Sequence, residues 1–210
     1  LSTKTLYNKD YYENGIEKGI SGYTNYRWIP ELTIPLAYRI IKHLDIEDDA
    51  VVLDYGCAKG FLVKALRLLG VQAYGYDVSS YAVSMAPKDV SKFIFKNKDY
   101  VMRHSYEWII AKDVFEHLDR IELTSTLRFL SHISNKLFCI VPLAKNGKYV
   151  AQANEMDTTH KIRENFEWWK KVLTNFGNRV SGTTEDNGDL KSRYINNPES
   201  HGFYLVSKEN

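Results

Sequence analysis

Residues 50–62, Ala-Val-Val-Leu-Asp-Tyr-Gly-Cys-Ala-Lys-Gly-Phe-Leu, constrain the fold of this chain more than any other stretch. The apolar run Val51 to Leu53 ends in an acid, Asp54, and in a turn opened by Gly56 and closed by Gly60. Phe61, Leu62, Ala65, Leu66, Leu68 and Leu69 then fall mostly at helical spacings. A buried strand, a glycine turn and a helix form the first unit of a doubly wound α/β sheet. Ligands in such sheets bind beyond the carboxyl ends of the strands, so this turn is the expected ligand site. Two familiar glycine loops are excluded. Gly56 is followed by Cys57, Ala58, Lys59 and Gly60, which is not the Gly-x-Gly-x-x-Gly of a dinucleotide site, and no Gly-Lys-Ser/Thr of a P-loop occurs.

Two later pieces extend the pattern. Tyr74-Gly75-Tyr76-Asp77-Val78-Ser79 ends a second apolar strand in an acid, and Trp108-Ile109-Ile110-Ala111-Lys112-Asp113-Val114-Phe115-Glu116-His117-Leu118 reads as a further strand leading into Glu-His-Leu. In this order and at these distances, the three pieces resemble class I S-adenosylmethionine-dependent methyltransferases, over roughly residues 45–145. That family's loop is usually acid-x-Gly-x-Gly-x-Gly, here Asp54-Tyr55-Gly56-Cys57-Ala58-Lys59-Gly60. The resemblance implies a Rossmann-like α/β fold. Its seven-stranded, mostly parallel sheet has helices on both faces and a C-terminal antiparallel hairpin. It also implies S-adenosyl-L-methionine as cofactor. Asp77, with Val78 beside it, would hold the ribose. Gly56, Cys57, Ala58 and Gly60 would approach the methionine end and the ribose, and Asp54 would order the loop and contact the donor's ammonium group. The backbones of Lys112 and Asp113 would line the methionine end. The chain departs from the pattern at Ala58, where the middle glycine would stand, and at Lys59. If position 58 needs a positive φ, alanine there is strained.

A chain of 210 residues can bury one substantial α/β core. A net charge of +2, with the signs mixed along the chain, gives no footprint of a nucleic-acid binder. Cys57 and Cys139 read as reduced thiols rather than a disulfide, and a metal site built from them is not expected. No run of eighteen apolar residues and no apolar signal core is present, so a soluble, cytoplasmic protein is expected. The start at Leu1 fits a domain of a longer, multidomain enzyme.

The sequence divides into an N-terminal aromatic segment and helix, 1–44, and a methyltransferase domain, 45–210. Tyr7, Tyr11, Tyr12, Tyr23, Tyr26 and Trp28 crowd the first part. By resemblance Tyr23, Tyr26 and Arg27 are lid candidates over the cofactor; an arm docking its rings on the core is the alternative. A helix is expected over 30–44, the second strand over 71–76 and a short helix from Ser79 or Ser80 to about Pro87. Phe93-Ile94-Phe95 is the expected third strand, with Asn97 or Asp99 at the family's adenine contact. A helix over 123–133 and a strand over 136–141, broken by Pro142, follow. Residues 144–160 are polar and irregular, long enough to be functional. A helix over 166–176, then Val180 and Phe203 to Val206 as the closing hairpin, flank a long loop over 182–201.

A sulfonium methyl is already activated, so the protein mainly aligns reactants and excludes water, an effect of about 7–11 kcal/mol in favourable cases. A hydroxyl acceptor also gains about 10²–10⁴-fold from a general base. The bases on offer are His117, after the fourth strand, and His160, in Asp157-Thr158-Thr159-His160; Asp157 could hold the ring's tautomer. Asp113, Glu116 and Asp157 could instead form an oxygen-rich site for a magnesium-type divalent metal, which is not the favoured reading. No Asn/Asp-Pro-Pro-Tyr/Phe and no Pro-Cys after the fourth strand are present. Methylation of base or glutamine amino groups, or of pyrimidine carbon 5, is therefore not expected. An aromatic lid with Asp-x-x-His after strand five is similar to O-methyltransferases of small molecules and glycans, often fused to glycosyltransferase domains. The expected acceptor is a sugar hydroxyl, on a deoxyhexose such as rhamnose. Another metabolite, a modified tRNA base, or a non-catalytic cofactor-binding module stay open.

Overall fold

The computed structural model describes residues 6–186, 189–191 and 199–208; Leu1 and much of the loop expected over 182–201 lie outside them. Strand β1 (Val51–Tyr55) is an interior strand, third in order, of a seven-stranded sheet. Its neighbours are β2 (Gln72–Tyr76) on one side and β4 (Tyr106–Lys112) on the other, both parallel to it. The strand order is β3-β2-β1-β4-β5-β9-β8, with β3 (Ile94–Phe95), β5 (Ser134–Pro142), β8 (Arg179–Thr183) and β9 (His201–Ser207). β9 inserts antiparallel between β5 and β8, so the expected closing hairpin is present.

Period-two alternation sends each strand's side chains into two cores. Leu53, Tyr55, Ile109, Ala111, Leu137 and Cys139 pack on one face, with Leu123, Leu127 and Leu130 of α6 (Arg120–Ser131) and Trp169 and Leu173 of α7 (Phe166–Leu173). Val52, Ile110, Phe138 and Ile140 pack on the other, with Ala37 and Ile40 of α2 (Pro30–Leu44) and Val63 and Leu66 of α3 (Phe61–Leu68). Three short helices complete the set: α1 (Lys9–Glu13), α4 (Ser80–Ser84) and α5 (Lys98–Val101). No helix among the described residues is long and apolar enough to cross a membrane.

Several boundaries differ from the sequence expectation for local reasons. Helix α6 starts at Arg120 rather than Leu123, because Asp119 caps it and Glu122 returns the bond in a capping box. Strand β5 continues through Pro142, which as its last residue opposes His201 and ends the ladder. The irregular segment after β5 holds a small hairpin, β6 (Ala144–Lys145) with β7 (Lys148–Tyr149), and a 3₁₀ turn over Gln152–Met156. Cys57 and Cys139 are both buried and unpaired, as thiols.

Candidate cofactor and acceptor site

The turn after β1 winds through three left-handed residues, Gly56 (φ 82°), Ala58 (φ 50°) and Gly60 (φ 75°). A Cβ on Gly56 would also stand 2.4 Å from Val114 Cγ2, and one on Gly60 2.6 Å from Ile94 Cδ1. Gly56 is therefore fixed twice over, by backbone and by the stiff Val114 side chain, and Gly60 mainly by its backbone. Ala58 takes the same left-handed geometry with a Cβ in place, which is the strain its residue type implies.

The loop is folded against the end of β2. Gly56 and Cys57 donate their N–H groups to the carbonyl of Tyr76. The Asp77 carboxylate accepts from Ala58 N through Oδ2 and from Ser79 N through Oδ1, each at 2.7 Å. Burial pushes Asp77 up to about 6, against the pull of these two amides. Burial likewise takes Asp54 up to about 7, with Lys112 opposing and Asp77 adding to the rise. Asp113, left-handed at φ 56°, is bracketed by Lys112 and Lys191 at 2.6 Å each. Burial would raise its carboxyl, but the two ammonium groups hold it well below the usual range. Asn97 caps α5 by accepting from Asp99 N.

The N-terminal segment lies across this loop. Tyr12 stacks on Tyr81 at 6.1 Å and Tyr26 packs on Phe61 at 5.2 Å, while Tyr23 meets Tyr26 at 4.9 Å. Lys59, the loop residue that departs from the glycine pattern, ties the segment down. Its Nζ pairs with Glu13 Oε1 at 2.5 Å and donates to the Tyr26 carbonyl at 2.6 Å, and Tyr81 donates to the same Glu13 oxygen. Arg27, in contrast, is exposed.

A second set of groups gathers beside it, where β4 ends. A 3₁₀ turn, Phe115–His117, presents Glu116 and His117, and Lys161 N and Ile162 N both donate to the Glu116 carbonyl, bringing His160 alongside. The rings of His117 and His160 meet edge-on at 4.5 Å. Asp157 serves the ring of His117, not that of His160 as its spacing suggests. Thr159 Oγ1 donates to Asp157 Oδ1 at 2.6 Å, so its lone pairs face His117 Nδ1 at 2.8 Å. His160 Nδ1 instead lies 2.9 Å from the carbonyl of Asn154. Both acceptors require a proton on Nδ1, which leaves Nε2 of each ring with its lone pair. Burial lowers His117 to about 4 and also lowers His160, which favours the uncharged form of both rings. Glu116 is fully buried, and burial followed by the charge of Asp113 drives its carboxyl well up. Tyr11 donates to Asp157 Oδ2 at 2.7 Å, which joins the N-terminal segment to this second set. Sequence reasoning did not anticipate Lys59 as a tie or Thr159 as the relay to His117; His201 is a buried neighbour of the Asp113 charge cluster.

No curated protein matches the sequence. Among solved structures the chain is similar to a SAM dependent methyltransferase from Archaeoglobus fulgidus (17% identity, TM-score 0.61, 82% of this chain and 93% of that one). It is also similar to magnesium protoporphyrin IX methyltransferase from Synechocystis with bound SAH (15%, 0.61, 98% and 99%). A third is Haemonchus contortus phosphoethanolamine N-methyltransferase 2 in complex with S-adenosyl-L-methionine (14%, 0.67, 100% and 60%). These likenesses are of fold. The profile of the family described as "Methyltransferase domain" matches residues 30–181. The chain belongs to that family and is a class I methyltransferase that uses S-adenosylmethionine.

Proposed function

We propose that the chain methylates a hydroxyl oxygen of a small-molecule or glycan acceptor, with a sugar hydroxyl as the preferred case. The observation that carries this reading is the pair of imidazoles that meet beside the end of β4, His117 from the turn after it and His160 from the segment after β5, each with Nδ1 within hydrogen-bond distance of an oxygen acceptor, which leaves Nε2 basic. An amine or thiol acceptor needs little help to react, whereas a hydroxyl, with its high pKa, gains from a base held in one tautomer. In this reading Nε2 of His117 or His160 meets the hydroxyl proton, and the Asp157–Thr159 relay positions His117.

The residues present fit the donor. An ionised carboxylate offers about four lone-pair sites, and Asp77 uses two of them on backbone amides, which leaves capacity for two ribose hydroxyls. The left-handed backbone of Gly56, Ala58 and Gly60, with Cys57 between, lets the main chain approach the ribose and methionine end. Asp54 would contact the ammonium group, and the backbones of Lys112 and Asp113 would line the same end. Val78 would flank the ribose, and Tyr26 would close the pocket. Bound there, the donor supplies an electrophilic methyl group. The contributions of the chain itself are binding, orientation, exclusion of water by the tyrosine-rich lid, and removal of one proton.

Transfer of labelled methyl to a panel of rhamnose- and fucose-type glycosides, phenols, amines and bulk tRNA tests this reading. Label on a hydroxyl oxygen is expected, with turnover falling about 10²-fold or more in His117→Ala or His160→Ala. Label only on nitrogen or on tRNA would overturn the acceptor, and full turnover in both variants would overturn the imidazole role.

A further inference from the structure

Glu116 has a side chain that the fold buries completely and then leaves alone. Neither carboxylate oxygen has a hydrogen-bond partner among the described residues. A buried carboxylate without compensation is strongly disfavoured, so such a group either holds its proton or gives it up to a cation that takes its place. The Lys191 ammonium lies within coulombic reach of Glu116 but is bonded to Asp113, so it gives the Glu116 oxygens no hydrogen bond. His160 Nε2 stands 3.9 Å from Glu116 Oε1, beyond hydrogen-bond reach. One donor atom each from Glu116, His117 and His160 lies within 4.8 Å of the other two. Ligand atoms at about 2.0–2.2 Å from a shared ion stand about 3–4.5 Å from one another, so this spacing suits three ligands around one cation.

The surroundings are those of a ligand set. A metal-bound imidazole usually donates its other N–H to a carbonyl or carboxylate, fixing ring and tautomer. His160 does this to the Asn154 carbonyl, and His117 does it through Thr159 to Asp157. The two chain segments are locked together by the paired bonds of Lys161 N and Ile162 N to the Glu116 carbonyl, at 2.8 and 3.0 Å. The oxygen-only set suggested by the sequence is not what assembles, since Asp113 is engaged by Lys112 and Lys191 and Asp157 by Tyr11 and Thr159.

We propose that Glu116, His117 and His160 form a divalent metal site with two imidazole nitrogens and one carboxylate as protein ligands. That donor set favours Mn²⁺, Fe²⁺, Co²⁺ or Zn²⁺ over Mg²⁺ or Ca²⁺, which take oxygen ligands. Three protein ligands leave positions for water or a substrate oxygen. The inference rests on the proposed hydroxyl acceptor only for what fills those positions. With the cation bound, both Nε2 lone pairs are occupied, so His117 and His160 act as ligands and the base role proposed for them above passes to the metal: the coordinated hydroxyl is acidified and its proton goes to solvent water.

The test uses the full chain, stripped with chelator, dialysed and titrated with Mn²⁺, with free ion followed by its electron paramagnetic resonance signal. S-adenosylhomocysteine binding is measured on the same samples as a fold control. One Mn²⁺ per chain is expected, with affinity at least tenfold weaker in Glu116→Gln and in His160→Ala while the fold control is unchanged. No Mn²⁺ or Zn²⁺ uptake by the wild type, or variants that bind as it does, would overturn the site. If the variants lose the fold control, the wild type decides alone. Bound Mn²⁺ then broadens the ring-proton resonances of His117 and His160 and spares exposed His104 and His132; broadening of the exposed pair alone overturns the proposal. The two readings fail separately. Metal at the site with no hydroxyl product removes the acceptor, whereas full hydroxyl methylation without metal uptake removes the metal.

Discussion

Asp77 accepts two main-chain bonds before any ligand arrives, and its proposed role adds ribose hydroxyls to the same carboxylate. Hydrogen bonds to a charged acceptor contribute about 1.5–3 kcal/mol each. Asp77→Ala should therefore weaken S-adenosylmethionine binding by about 100-fold or more by calorimetry, and a change under about threefold would place the ribose elsewhere. The pH dependence has a definite sign. The ribose hydroxyls donate to the ionised form, so affinity should fall as pH drops through about 6, by up to about tenfold per unit. Asp54, raised to about 7, begins the decline earlier. A dissociation constant flat between pH 8 and 5 would mean that neither carboxylate takes part. For the ligand-free fold the same Asp77 shift acts in the opposite sense. The native carboxyl holds its proton more tightly than the unfolded chain, so this stabilising contribution is full below 3.8 and is lost as pH rises to about 6. Ala58 gives a second residue-scale expectation. Ala58→Gly relieves about 1–2 kcal/mol of left-handed strain against about 0.4–1 kcal/mol of unfolded-chain entropy, so it should be close to neutral or mildly stabilising. Ala58→Val, β-branched at φ 50°, should cost more than about 1 kcal/mol, or about 2–4 °C in Tm. A valine variant as stable as the wild type would show that this turn is relaxed.

At the scale of elements, the N-terminal segment, the proposed lid, is held by one residue of the loop after β1, the proposed cofactor loop. Lys59 and Glu13 keep 6% and 19% of their side-chain surface, so their pair falls between exposed pairs, worth about 0.2–1 kcal/mol, and buried ones, which cost about 3–5 kcal/mol to break. Lys59→Met should release the segment without unfolding the sheet. Amide exchange over residues 9–26 should speed up at least about tenfold, with Tm of the core moving by no more than a few degrees. Unchanged exchange would show that the tyrosine stacking holds the lid without the ion pair. Strands β1, β2 and β4 were legible because each is an apolar run leading into an acid or glycine, and such runs depend little on distant contacts. Lys59 was legible only as a departure from a glycine pattern. Its partners lie in a segment whose position is set by long-range packing, and a lysine in a loop looks solvated until a buried carboxylate is found beside it. The pairing of His117 with His160 was legible as two separate candidates. That they touch depends on the Glu116 carbonyl capturing the 161–162 amides, a tertiary bond with no periodic signature.

For the whole molecule, the N-terminal segment is a bridge between two sites. At one end Glu13 and Tyr26 bind Lys59 of the loop after β1, where the cofactor is proposed to bind; at the other, Tyr11 donates to Asp157 and the Ile20 carbonyl accepts from Thr158 N and Oγ1. A lid bonded to both sites makes the ordering of one favour the ordering of the other, and such coupling is reciprocal. S-adenosylhomocysteine should therefore slow amide exchange in residues 7–26 and also in 150–162, although only the first lies over the cofactor loop. Tyr11→Phe removes a bond to a buried carboxylate, about 1.5–3 kcal/mol, and leaves the Lys59 clamp intact. In that variant cofactor affinity should change by less than about threefold, while protection of 150–162 on cofactor binding is lost. Protection of both segments in Tyr11→Phe would mean that coupling runs through the sheet, from the end of β1 to the end of β4, rather than over the top through the lid.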